Sequence, residues 1–228
     1  MRIHSIKLLT SQLVQLKEFY TQILGLPLTE STDDTFTVKV GRSSLIFEQT
    51  QTADENPFYH FAFDIPENKI DESITWLNSL GISVNLLPNN FYKWYSSTWN
   101  ATSIYFDDPA GNIVEFIARH SLGNAIEASI KGTELINISE IGLVVDHVSD
   151  TKDFLGTNHS MIGYKDSNDS FAAVGDEDGL FILSANQRVW LGSDKKAAIF
   201  RTEISVEGTY EGVFDIEQYP YKLSVVNN

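Results

Sequence analysis

Cysteine is absent from the 228 residues. That excludes disulfides, thiolate metal ligands and a cysteine nucleophile. Basic residues are scarce: 16 Lys and Arg stand against 31 Asp and Glu, for a formal charge of −15. A surface of that sign repels nucleic-acid phosphates and anionic lipid headgroups, so neither is an expected partner. No apolar run reaches the ~20 residues of a membrane helix, and the opening residues 1–7 lack an apolar core of signal-peptide length. Glycine-rich phosphate loops, dinucleotide fingerprints and nucleophile elbows are also missing. What remains is the expectation of a cytoplasmic globular protein whose partner is a small molecule.

Material for a core is plentiful. Apolar residues make up 42% of the chain, with 14 Phe, 9 Tyr and 4 Trp, and the length suits one large domain or two of about 100 to 120 residues. A short strand is expected over 3–10. Apolar side chains at Leu13, Leu16, Phe19, Tyr20, Ile23 and Leu24 then mark one helical face, closed by Gly25. Strands follow at 35–40 and 44–48. The same order returns as a strand at 60–65, a helix at 71–80 stopped by Gly81, a strand starting at 82–86 and a hairpin at 102–117. A weaker third copy begins at Ile138, and residues 198–206 are strand-like. Repeats of this length suggest paired modules sharing a sheet.

Two residues break the apolar pattern of their strands: His60 in the run 59–64, and Glu115 in the run 105–116, where Pro109-Ala110-Gly111-Asn112 makes a turn. With those strands side by side, an imidazole and a carboxylate face one cavity. That is half of a metal site, or a buried polar pair satisfying its own hydrogen bonds. The aromatic segment 89–100, with Tyr92, Trp94 and Trp99, either walls a ligand pocket or packs in the core or at a subunit contact.

The order and spacing of Leu24-Gly25-Leu26, His60-Phe61-Ala62-Phe63 and Asp108-Pro109-Ala110-Gly111-Asn112-Ile113-Val114-Glu115 resemble the vicinal oxygen chelate superfamily, which includes glyoxalases, bleomycin-resistance proteins and extradiol dioxygenases. The resemblance covers residues 1 to about 118. It implies an α+β fold in which paired βαβββ modules form a curved mixed sheet around a cleft, with a degenerate C-terminal module. The expected division is a two-module domain at 1–118, a linker at 119–136 and a degenerate half at 137–228.

By position, the resemblance makes His60 and Glu115 ligands of a divalent metal ion, Zn, Ni, Mn or Fe. The first module departs from the pattern, because Ser5 falls where a ligand is expected. Glu48 is the candidate third ligand or catalytic base. In the third copy Glu140 takes the place of His60 and Leu183 that of Glu115, so a second metal site is not expected there. The implied activity is that of a lyase, isomerase or dioxygenase acting on a small oxygenated compound. The competing expectation is a metal-free small-molecule binder of the drug-sequestering type, with Tyr92, Trp94 and Trp99 holding the ligand. A homodimer completed by the C-terminal half is a third expectation.

Overall fold

The computed structural model describes residues 1–52, 55–88, 90–208, 211–216 and 218–227; Asn89, which opens the aromatic segment, lies outside them. The first module runs β1 (Ile3–Thr10), α1 (Leu13–Glu18), β2 (Leu28–Ser31), β3 (Thr35–Val40) and β4 (Ser43–Gln49). The helical face expected over 12–24 is continuous, but its second half, Phe19–Ile23, widens into a π-turn. Gly25 ends it with φ +70°, a conformation that glycine adopts without strain.

The second module runs β5 (His60–Ile65), α2 (Ile70–Ser79), β6 (Trp94–Ser96), β7 (Ala101–Asp107) and β8 (Ile113–Arg119). No strand forms over 82–86. Ile82, Val84 and Leu87 are buried there, so the run's apolar pattern serves packing and not a ladder, and the strand appears later as β6. The third module runs β9 (Asn137–Val145), α3 (Val148–His159), β10 (Gly163–Asn168), β11 (Phe171–Asp176) and β12 (Gly179–Ala185). β13 (Thr202–Glu207), β14 (Gly212–Asp215) and β15 (Tyr221–Val226) complete the chain.

Two mixed sheets result, so the fold is α+β with paired modules. One has the order β14-β15-β13-β1-β4-β3-β2, the other β10-β11-β12-β9-β5-β8-β7-β6. The first and second modules, though adjacent in sequence, are not sheet partners. The first module joins β13–β15 through the antiparallel pair β1–β13, and the second joins the third through β5–β9. Of the segment expected as a linker, 119–136, Arg119 is the last residue of β8 and the rest falls between β8 and β9, and both sheets draw strands from either side of it.

The main core lies between the sheets. Ile6, Leu8, Phe36 and Phe47 of the first meet Phe61, Phe63, Phe116, Ile141 and Phe181 of the second. Side chains alternate along a strand, so the residues between these in sequence point to the far face of the second sheet. β5 and β9 are buried along their whole length, which means that the far face is covered too. Its cover includes residues 186–197, which fold back on themselves through Gln187 N–Ala197 O (2.8 Å), Ala197 N–Arg188 O (2.7 Å) and Trp190 N–Lys195 O (3.0 Å). Lys195 anchors this strap, its Nζ 2.8 Å from Asp107 and 2.6 Å from the Gly111 carbonyl.

Among the described residues, no helix is long and apolar enough to cross a membrane.

Candidate metal centre

Strand register decides which side chains meet. In the parallel pair β5–β8, Ala62 stands opposite Glu115; in the antiparallel pair β5–β9, Ala62 stands opposite Glu140. Glu115, Ala62 and Glu140 therefore form one row across three strands, and His60 lies two residues along β5 on the same face. The methyl group of Ala62 leaves the space between the two carboxylates open. One donor atom from each of His60, Glu115 and Glu140 falls within 4.8 Å of the others.

The histidine's protonation is set by its backbone partner. Nδ1 lies 3.1 Å from the Ile113 carbonyl, which can only accept, so Nδ1 donates and Nε2 keeps its lone pair. Burial lowers the His60 pKa to about 4, and the ring is neutral at pH 7. Nε2 faces Glu115 Oε2 at 3.4 Å. Two acceptors in that relation need a proton or a cation between them. Burial, and then the charge of Glu140, push the Glu115 carboxyl well above the usual carboxylate range, against the pull of Ser103, Arg119 and Tyr105.

Burial raises Glu140 too, opposed chiefly by Arg119. Arg119 is fully buried, with Nη2 2.6 Å from Glu140 Oε1 and Nε 3.4 Å from Asp64 Oδ1. Ser139 Oγ accepts from its Nε and Nη2 at 3.3 and 3.0 Å. The Arg119 guanidinium lies 5.6 Å from the centroid of Trp99.

A cavity of about 270 Å³ opens in front of the three donors. Trp94, Trp99, Tyr105, Phe171 and Trp190 line it, with Ser103, Ile182 and Arg188. The Trp190 ring covers His60 at a centroid distance of 4.8 Å. Gly142 makes that approach feasible: a Cβ there would stand 2.7 Å from Trp190 and 3.1 Å from the His60 carbonyl.

The structure brings together His60 and Glu115, and it places Trp94 and Trp99 on the cavity wall. Tyr92, 51% exposed, lies outside the lining. Glu48 is not brought to the cleft. It belongs to β4 in the other sheet, on the face opposite the buried Leu45 and Phe47, and it pairs with Lys7 and with Arg201 at 3.2 Å. The third donor is Glu140, because β5 pairs with β9 and not with a strand of the first module. Its correspondence to His60 was the available signal, and the structure adds it to the same site instead of a second one. The position related to Glu115 is Ile182, not Leu183: Gly142, two residues beyond Glu140, pairs with Ile182, whereas Leu183 points into the main core. Arg188 and Trp190 carry no motif of their own, and the one local sign of their strap is the turn-forming Gly192-Ser193-Asp194.

A family model described as the glyoxalase/bleomycin resistance protein/dioxygenase superfamily matches residues 2–116, just over half of the chain. The chain belongs to that superfamily. A search of curated proteins gives no significant match. Among solved structures, a dioxygenase candidate from Bacillus subtilis subsp. subtilis str. 168 superposes with a TM-score of 0.66 at 13% identity, covering 99% of this chain and 85% of that one. A glyoxalase I variant from Zea mays superposes with a TM-score of 0.60 at 15% identity, covering 99% of this chain and 92% of that one. At such identities the likeness is one of fold. The donor set here is of a kind that fits a divalent metal: a neutral imidazole with a lone pair on Nε2 and two buried, mutually repelling carboxylates.

Proposed function

We propose that this superfamily member is a metalloenzyme acting on a small oxygenated compound, with His60, Glu115 and Glu140 holding one divalent ion. The observation that carries the reading is the Nε2 lone pair of His60 facing a buried carboxylate, with a second carboxylate beside it. Bound there, the ion would act as a Lewis acid toward neighbouring substrate oxygens. The chain's own contributions are separate. The Ile113 carbonyl fixes the imidazole tautomer, Arg119 orients Glu140, and the aromatic walls exclude water. One imidazole with two carboxylates is one imidazole short of the set suited to non-haem Fe(II). This favours lyase or isomerase chemistry, with Zn, Mn or Ni, over dioxygen chemistry. A carboxylate that binds the ion in one state and holds a proton in another could also serve as the base, and Glu115 is the candidate.

One observation favours the second reading, a metal-free binder: Arg119 already neutralises Glu140 at 2.6 Å. Metal analysis of protein purified without tag or chelator separates the two. The expected result is about one ion per chain, lost in His60→Ala and reduced in Glu115→Gln and Glu140→Gln. Saturating Zn or Mn at about 100 times Kd should stabilise the fold by roughly 2.7 kcal/mol, read as a rise in Tm that His60→Ala abolishes. No bound ion and no rise in Tm with any of Zn, Mn, Ni or Fe(II) would establish the binder.

A further inference from the structure

The cavity holds a cation that the metal reading does not use. Arg188 lines it from the strap, half-buried, and its guanidinium lies 5.1 Å from the Phe171 ring centroid. Among the described residues the guanidinium has that ring contact but no hydrogen bond or ion pair. Its charge acts on His60 and Tyr105, which places it over the same hollow as the donors. Burial lowers the pKa of Arg188, so desolvation is not repaid by an anionic neighbour in the protein itself.

Charge and shape then constrain the occupant. Glu115, Glu140 and Asp64 oppose Arg119 and Arg188, and a divalent ion would leave the region one or two positive charges in excess, depending on the proton of Asp64. The flat walls of Trp99, Phe171 and Trp190 suit a planar ring. A cavity of about 270 Å³ falls just below the ~300–1,000 Å³ usual for ligand pockets. It has room for one ring with short substituents.

We propose that the ligand is a planar aromatic acid, its carboxylate held by Arg188 and a second oxygen on the neighbouring ring position directed to the His60–Glu115–Glu140 end. The guanidinium fork matches a carboxylate with two parallel hydrogen bonds, and the strongly acidic surface makes a built-in cation the feature that admits an anion at all. The inference rests on the reading of this cavity as the substrate site; the excess of positive charge also requires the ion, whereas the pairing of a carboxylate with Arg188 does not.

Calorimetric titration with salicylate and with salicylamide tests it, since the two probes share ring and ortho oxygen and differ in the charged carboxylate. Wild-type protein should bind salicylate about tenfold or more tightly than salicylamide. Arg188→Gln should erase the preference, and Arg188→Lys should keep part of it, with thermal melts confirming that both variants fold. Equal binding of the two probes, no binding of salicylate, or a preference that survives Arg188→Gln overturns the proposal. Each titration is run on metal-loaded and on chelator-stripped protein. A preference that depends on Arg188 in protein that binds no metal upholds this inference while removing the metalloenzyme reading. Stoichiometric metal without any such preference does the reverse.

Discussion

Ala62 is the residue of the site on which its geometry turns. It separates Glu115 from Glu140 in a single row, and any larger side chain there would project between the carboxylates. Ala62→Leu is expected to fold, with an overpacking cost of about 1–3 kcal/mol, and to lose bound metal; calorimetry with Zn or Mn measures the loss. Retention of wild-type metal affinity would contradict the row described above. The neighbouring Arg119 has the opposite role. A buried guanidinium shared by Glu140 and Asp64 keeps a crowded acidic site foldable before any ion arrives, because unpaired buried charges are costly.

At the scale of elements, the strap 186–197 matters most. It supplies Arg188 and Trp190 to the cavity, is closed by its own backbone bonds and is tied to the β7–β8 hairpin through Lys195. Gly142 on β9 is the floor on which it rests. Gly142→Ala should push Trp190 away from His60, since the added Cβ would meet the indole at 2.7 Å. The expected outcome is a loss of about 1–3 kcal/mol of stability, with altered near-ultraviolet dichroism from the displaced indole. The β7–β8 hairpin has its own anchor. Asp108 is buried and accepts from Tyr20 Oη at 2.8 Å, from the amides of Ala110 and Asn112 at 3.0 Å, and from Asn112 Nδ2 at 2.8 Å. Asp108→Ala orphans these donors and should cost about 3 kcal/mol in denaturant unfolding, more than a surface substitution would.

For the whole molecule, the topology makes the two halves of the chain depend on each other. β1 lies between β4 and β13, and β5 between β8 and β9. A fragment of residues 1–120 would expose the edges of two central strands, one of them buried along its whole length, and such edges invite aggregation. The expected outcome is that this fragment shows no cooperative melting and sediments as aggregate, whereas the full chain melts as one unit. A monomeric, cooperatively melting 1–120 would show that the first two modules form a domain by themselves.

How much of this was legible in advance differs from residue to residue. The alternation that puts His60 and Glu115 out of pattern in apolar strands, the Gly25 and Gly81 stops and the Asp108–Asn112 turn are local. They follow from backbone sterics and side-chain periodicity, which a linear sequence carries. By itself, then, the chain determined most of its elements (though not the fate of residues 82–86), their repeating order, and the two out-of-pattern residues His60 and Glu115. Which modules became sheet partners is not local, because strands of similar apolar pattern can pair in more than one order, and only burial of all the faces together selects one. That selection left Glu48 with Lys7 and Arg201, brought Glu140 beside Glu115, and set Arg188 and Trp190 over the cavity. These placements belong to the tertiary structure alone, since each depends on contacts between segments that the sequence keeps far apart.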